Sequence, residues 1–191
     1  PLENISRQLG AYDLENAKVA ERKTYRINAN WKLVLENYLE CYHCSSSHRQ
    51  YAKLHTLEAP SEKVKPINRA MWARAEEITG VPGIAEEYYG YYNDAAAFGA
   101  CSYTSRYALY EGFKTGSRDG QPVAPLMGNM QGYDGGAGDF QMGPLTFMLN
   151  YPDHCVTGVG VLQTAADEGI LSIGVYSNQN YLHPGKVLTS M

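Results

Sequence analysis

The chain has no apolar run of the ~20 residues that a bilayer span takes, and its first residues lack the basic-then-apolar pattern of a signal peptide. An excess of positive charge is also missing: 16 Lys and Arg stand against 20 Asp and Glu, a net charge of −4. That gives no reason to expect a nucleic acid or an anionic membrane as partner. Repeats and low-complexity tracts are absent. Cysteine is scarce, at four: Cys41, Cys44, Cys101 and Cys155. Cys41 and Cys44 form a C-x2-C, but no second pair completes a zinc site, and His43 lies inside this one. The expected state is reduced thiols in a cytoplasmic protein rather than a disulfide. Finally, no acidic residue follows Glu168.

What is present fits one globular domain. At 191 residues and 44% hydrophobic, the chain can bury a sizeable core, with room for an appendage. Tyrosine is abundant, at 16, and much of it lies near Gly-rich turns. Tyrosine couples apolar area to a polar tip, which suits pocket walls, subunit contacts and β-sheets alike.

The densest chemistry lies in NWKLVLENYLECYHCSSSH, Asn30 to His48. Trp31, Val34, Leu35, Tyr38 and Leu39 recur at helical spacing, and Asn30 is placed as an N-cap. His43 and His48 close the segment. On an ideal helix five residues turn about 500°, leaving the rings ~140° apart. They share a metal only if the helix breaks between them. Ser45, Ser46 and Ser47 fill that gap, and serine competes with helix by bonding local backbone, so the break is expected there. Two imidazoles and a carboxylate on one face, with open positions opposite, suit Fe(II) that must take both oxygen and substrate. As a bare H-x4-H, the spacing fits ordinary helix-end histidines that bind no metal better than a metal site, because short histidine spacings are common by accident.

Around this segment the chain reads as strands with helices. Pro1 to Asn16 is expected as an irregular connection, and Lys18 to Asn28 alternates as a strand. His55 is placed on the surface. Ala59 to Pro66 reads as loop, and Asn68 to Ile78 as a short helix or a strand–loop segment. Gly80 to Gly99 holds a Tyr-rich run. Ser102 to Phe113 reads as a strand, Gly116 to Pro125 as a turn with Asp119-Gly120 a hairpin signal, and Asn129 to Gly138 as a glycine-dense loop. Asp139 to Tyr151 reads as strands broken at Gly143-Pro144. Val156 to Leu162 and Ile170 to Val175 form an antiparallel hairpin around Asp167-Glu168-Gly169. The fold class is α+β, an antiparallel sheet with helices packed on one face.

The pattern N-W-K-x-x-x-E-N-x-x-E-C-Y-H-C-x-x-x-H resembles the iron-binding segment of Rieske-type ring-hydroxylating oxygenase α-subunits, in their helix-grip-like catalytic domain. Tyr107 to Gly128 and Phe147 to Thr157 also resemble that family, so the likeness runs from about Leu14 to about Thr157. It implies that His43 and His48 are ligands of a mononuclear non-haem iron. Glu40 then matches the family's bridging carboxylate, which links the iron to a [2Fe-2S] cluster on the neighbouring subunit of a homotrimer. It further implies O2 and a small organic substrate, with a reductase, directly or through a ferredoxin, as electron donor. Aromatic-ring hydroxylation is the expected reaction. Monooxygenation or N-demethylation of a quaternary ammonium compound is the alternative, and a non-catalytic ligand-binding domain that has lost its metal is the competitor from another class.

Three departures from the family pattern follow. The C-x-H and C-x2-H pairs of a Rieske cluster are absent, so residues 1–16 are expected as the linker from a missing N-terminal Rieske domain and 17–191 as the iron domain. The family's third ligand, an Asp on a C-terminal helix, has no match; Asp153, Asp167 and Glu168 are left unassigned. A helix-sized piece looks cut out between Cys155 and Asn180, with a chain break expected near Thr157-Gly158 or between Ile173 and Asn178. His183 is placed in a surface tail.

Overall fold

The computed structural model describes residues 3–27, 29–40, 42–57, 59–82, 102–143, 145–162 and 169–177. Six strands form one antiparallel sheet: β1 (Lys18–Ile27), β2 (Ser102–Ala108), β3 (Gly136–Met142), β4 (Thr146–Tyr151), β5 (His154–Leu162) and β6 (Gly169–Ser177). Their order is β1-β6-β5-β4-β3-β2. The helices are α1 (Glu3–Gly10), α2 (Trp31–Leu39), α3 (Cys44–Ser47), α4 (Arg49–Leu54) and α5 (Ser61–Thr79). The class is α+β, as expected. Among the described residues no helix is long and apolar enough to cross a membrane.

Strand alternation separates two apolar clusters. Phe140 pairs with Met148 and faces one way, while the neighbouring pairs Asp139–Leu149 and Gln141–Phe147 face the other. On the first face Phe140, Met148 and Cys155 pack with Ile5, Tyr12, Val81, Met127 and Met130. α5 lies on this side too, with Met71 and Ala75 against Ala108. On the second face Leu149, Tyr151, Val156, Ala137, Tyr107 and Leu109 pack with Tyr51 of α4 and Phe113. Tyr38 of α2 stacks on Phe147 there, with ring centroids 3.7 Å apart. The candidate site lies on this second face.

Several expectations need correction. Residues 3–16 are not an irregular connection: Glu3–Gly10 is helical, and Ile5 and Tyr12 are buried in the core. The loop expected over 59–66 is mostly helix, because α5 starts at Ser61 and runs through Pro66. An interior proline costs a helix about 3 kcal/mol. Here that cost is offset on a face whose Asn68, Met71, Ala75 and Thr79 recur at helical spacing and are all buried; burying one Met side chain alone contributes about 1.5–3 kcal/mol. Gly80, at φ 70°, closes the helix in the left-handed conformation with its amide on the Glu76 carbonyl.

The glycine-dense segment is strand from Gly136 onward. A Cβ on Gly136 would lie 2.7 Å from the Met71 sulfur, so glycine there lets α5 approach the sheet. Asp119-Gly120 is not a hairpin between paired strands; it sits inside the long connection from β2 to β3. The break at Gly143, φ 65°, lies between β3 and β4 as expected. β5 stays in register with β4 and β6 across Thr157 and Gly158, and β6 runs from Gly169 to Ser177. Paired strand runs through Thr157-Gly158 and from Ile173 as far as Ser177, while residues 163–168 and 178–180 of the stretch in which a chain break was expected lie outside the described residues. Asp167, Glu168, His183, Cys41, Cys101 and the Tyr-rich run lie outside the described residues.

Candidate metal centre

The helix does break between the two histidines, but not at the serines. α2 ends at Leu39, with the Glu40 amide on the Glu36 carbonyl. His43 is the N-cap of α3 (φ −87°, ψ −8°), and Ser45 to Ser47 lie inside that one-turn helix. The Ser46 hydroxyl donates back to the His43 carbonyl at 3.0 Å, so the serine side chain supports the turn instead of competing with it. The break is at His48, where φ −120° and ψ 56° leave the helical region. His48 gives its amide to Cys44 and takes the amide of Ala52 on its carbonyl, joining α3 to α4 at a kink.

This kink brings the rings together. Their centroids are 4.9 Å apart and their planes meet at 76°. An imidazole nitrogen sits about 2.0–2.1 Å from a bound metal, placing the ring centroid ~3.2 Å from it; two rings at ~90° then have centroids ~4.5 Å apart. The observed spacing fits two imidazoles on one ion. Burial, with the nearby His43 second, lowers the His48 pKa, which favours the neutral ring that can ligate.

Glu40 accepts a short hydrogen bond from His43 Nδ1. Burial would raise its pKa, but the His43 hydrogen bond and charge, with the Tyr42 and His43 amides, outweigh it and hold the carboxyl below its usual range. With Nδ1–H given to Glu40, Nε2 of His43 is the nitrogen with a lone pair; the Asn37 amide nitrogen lies 3.1 Å from it. The other carboxylate oxygen, Glu40 Oε2, is buried and has no hydrogen-bond partner among the described residues. Cys44 is buried and is in no disulfide among the described residues. Among the described residues no three His, Cys, Asp or Glu side chains converge as a complete metal site.

Behind the histidines stands a layer that sequence reading missed. His55, expected on the surface, is 2% exposed. Its Nδ1 donates to the Tyr51 carbonyl at 2.7 Å, and its Nε2 lies 2.8 Å from the Tyr151 hydroxyl. A carbonyl only accepts, so the ring carries its proton on Nδ1, and Nε2 accepts from Tyr151. Burial pushes its pKa down to about 4, against a smaller opposing effect of the Tyr51 carbonyl. The Tyr51 ring stacks on it at 3.8 Å, and the Tyr51 and Tyr107 hydroxyls meet at 2.8 Å. The signal was available: Tyr51, Leu54 and His55 share the i, i+3, i+4 spacing of a buried helix face.

Tyr38 donates to Asp139 at 2.6 Å, tying α2 to β3. Asp153 is engaged with partners of its own. It is fully buried, accepts from Thr115 and the Val123 amide, and pairs with His154 Nδ1 at 2.9 Å. Burial would raise its pKa, but those partners outweigh it and hold it low. The clamp pins the β2–β3 connection to the β4–β5 turn.

Residues 14–160 match the family model described as ring hydroxylating alpha subunit, catalytic domain. The chain is 36% identical over 138 residues to the glycine betaine monooxygenase oxygenase subunit of Pseudomonas aeruginosa (strain UCBPP-PA14), covering 71% of this chain and 31% of the relative. It is 50% identical over 36 residues to the carnitine monooxygenase oxygenase subunit of Escherichia coli (strain K12), 19% of this chain and 10% of the relative. A crystal structure of a quaternary ammonium Rieske monooxygenase in complex with an inhibitor superposes with a TM-score of 0.53 at 14% identity, over 94% of this chain and 36% of that one. At that identity the likeness establishes the fold alone. The chain spans about a third of the length of the curated relatives at the head of the match.

Proposed function

From the premise that the chain belongs to the ring hydroxylating alpha subunit family, as its catalytic domain, we propose that it is the oxygen-activating part of a terminal oxygenase. The observation that carries this reading is the pair His43 and His48, 4.9 Å apart inside the matched region, with Glu40 on one ring. The two histidines hold a mononuclear iron. Bound iron supplies the one-electron and oxygen chemistry that side chains lack. The third ligand is left open.

The residues around it do the remaining work. Glu40 fixes the orientation and tautomer of the His43 ring through Nδ1. Its unpartnered oxygen suits a bridge to a second histidine, on the [2Fe-2S] domain of a neighbouring subunit in a homotrimer. A reductase, directly or through a ferredoxin, would be the electron donor of that assembly. Tyr38, Phe147, Tyr51, Tyr107 and Tyr151 gather on the sheet face beside the site. Such a wall keeps water away and offers ring faces to a cation.

The substrate we favour is a quaternary ammonium compound, because the relatives named above act on glycine betaine and carnitine. An aromatic-ring substrate is the second reading, supported by the family's name. The test is iron content of the anaerobically purified full-length protein, then substrate-dependent O2 uptake with its reductase. Glycine betaine, carnitine and an aromatic acid are compared. Iron near one per chain beyond the cluster iron, with uptake driven by a betaine, supports the reading. A protein that takes up no iron in addition to any cluster is a ligand-binding domain instead.

A further inference from the structure

We infer that His55 and Tyr151 are positioning residues for the candidate centre, acting through α4 on His48. The inference rests on the proposed two-histidine site. Its basis is how the six-residue helix α4 is held at its two ends. His48 opens the helix, accepting the Ala52 amide at 2.9 Å, and contributes one ring of the site. His55 closes it, and closes it twice. Its backbone amide and its ring Nδ1 both donate to the Tyr51 carbonyl, at 3.1 and 2.7 Å. That carbonyl takes the last i→i+4 bond of the helix, and the ring adds a second donor to it at the C-terminal turn. The ring therefore belongs to the helix end as a cap.

The other ring nitrogen fixes that end to the sheet. Tyr151, the last residue of β4, donates its hydroxyl to Nε2 at 2.8 Å. The main chain is fastened at the same point: His55 bridges to Leu109, the Tyr110 amide donates to the Leu54 carbonyl at 2.8 Å, and the Thr56 hydroxyl to the Ala108 carbonyl at 2.7 Å. One turn back, the Tyr51 hydroxyl meets that of Tyr107. At a rise of 1.5 Å per residue, α4 is a rod only ~9 Å long. A helix this short has little internal give, so a shift at the His55 end reaches His48. Ligand position matters to tenths of an ångström, and groups behind a ligand commonly set metal affinity within 10- to 100-fold.

The sequence places the two partners 96 residues apart, and only the sheet topology brings them together. Tyr151 is held in turn: it stacks on His154 at 4.9 Å, and the backbone of Gly116 lies against its ring. Removing the hydroxyl alone leaves those contacts in place. Tyr151→Phe is therefore the informative variant, and His55→Gln, which keeps a polar group at the helix end, is its companion. Met130→Ala, in the cluster on the opposite face, supplies a control that loosens the fold without touching α4.

The experiment uses the full-length protein, loaded anaerobically with Fe(II). Three quantities are read: Fe(II) affinity by chelator competition, the line shape of the Fe(II)–nitric oxide electron paramagnetic resonance signal, and hydrogen exchange across residues 49–55. We expect Tyr151→Phe and His55→Gln to weaken Fe(II) by about five- to tenfold, the worth of one hydrogen bond, to alter the line shape and to speed exchange across α4. Met130→Ala should lower the melting temperature with none of these. Unchanged affinity and line shape in Tyr151→Phe, or equal changes in Met130→Ala, overturns the inference and leaves an ordinary structural bond. A parent protein that binds no Fe(II) overturns the two-histidine reading itself, an outcome seen before any variant is made.

Discussion

The rings of His43 and His48 meet edge-on with centroids 4.9 Å apart, although the five-residue spacing on an unbroken helix would turn them apart. The kink at His48 reconciles the two, because α3 ends there and α4 starts with a new axis. Removing either imidazole leaves one ring, which cannot hold Fe(II) against a chelator. His43→Ala and His48→Ala should each reduce bound mononuclear iron to background while circular dichroism stays that of the parent, since neither ring is in a core cluster. Iron retained at parental stoichiometry in both variants would remove these residues from the site.

Glu40 poses a different question, because it touches a ligand ring and has an oxygen to spare. Glu40→Gln keeps size and hydrogen-bonding capacity while losing the charge. Iron should remain bound, and the transfer of electrons from the reduced cluster to the iron should slow by about tenfold or more, the loss expected of an outer partner that tunes a ligand. Stopped-flow reduction under single-turnover conditions measures it. Parental rates would make Glu40 a partner of His43 and nothing else.

Most strands were legible in the sequence because alternating or continuous apolar runs between turn signals mark them: Lys18 to Ile27, the pair either side of Gly143, and the hairpin that ends at Ser177. The family, and the proximity of His43, His48 and Glu40, were legible too, since a local motif carries them. What was not legible depends on distant partners. Pro66 argued for a loop, and only the sheet face that buries Met71 and Ala75 explains the helix through it. Gly136 argued for a loop, and only the approach of Met71 shows why a strand needs a glycine there. His55 looked like a surface residue because Tyr151 lies 96 residues away. The serines argued for the break, yet a serine hydroxyl that bonds the turn it belongs to supports that turn.

His55 also sets an acid limit on stability. Its pKa is about 4 in the folded chain, below its ordinary value of 6.5. The unfolded chain therefore binds the extra proton first. The contribution is fully present above pH 6.5, falls between 6.5 and 4, and is lost below that. Across the window it amounts to on the order of 3 kcal/mol. Urea titrations at several pH values should show stability falling over this range in the parent and falling less steeply in His55→Gln. His48, also lowered, adds a slope of the same sign in both proteins, so the difference between the two slopes isolates His55. Parallel curves would show that burial leaves His55 free to protonate.

The Asp153 clamp should matter for folding and not for metal. Its two oxygens serve the Thr115 hydroxyl, the Val123 amide and the His154 ring, all buried. Asp153→Ala strands three buried polar groups at once, and each such group left without its partner costs about 1–3 kcal/mol. Asp153→Asn keeps an acceptor for Thr115 and Val123 but gives up the charge beside His154, so it should lose less. The order parent, Asn, Ala should appear in melting temperature, with mononuclear iron per folded chain unchanged across the series. The clamp holds the β2–β3 connection, whose Gly116 lies against the Tyr151 ring, but it does not itself touch α4 or either histidine. A series in which iron affinity falls in step with stability would mean that the connection, through Gly116 and Tyr151, transmits strain as far as His48. One in which stability does not change would show that Asp153 is hydrated in solution rather than clamped.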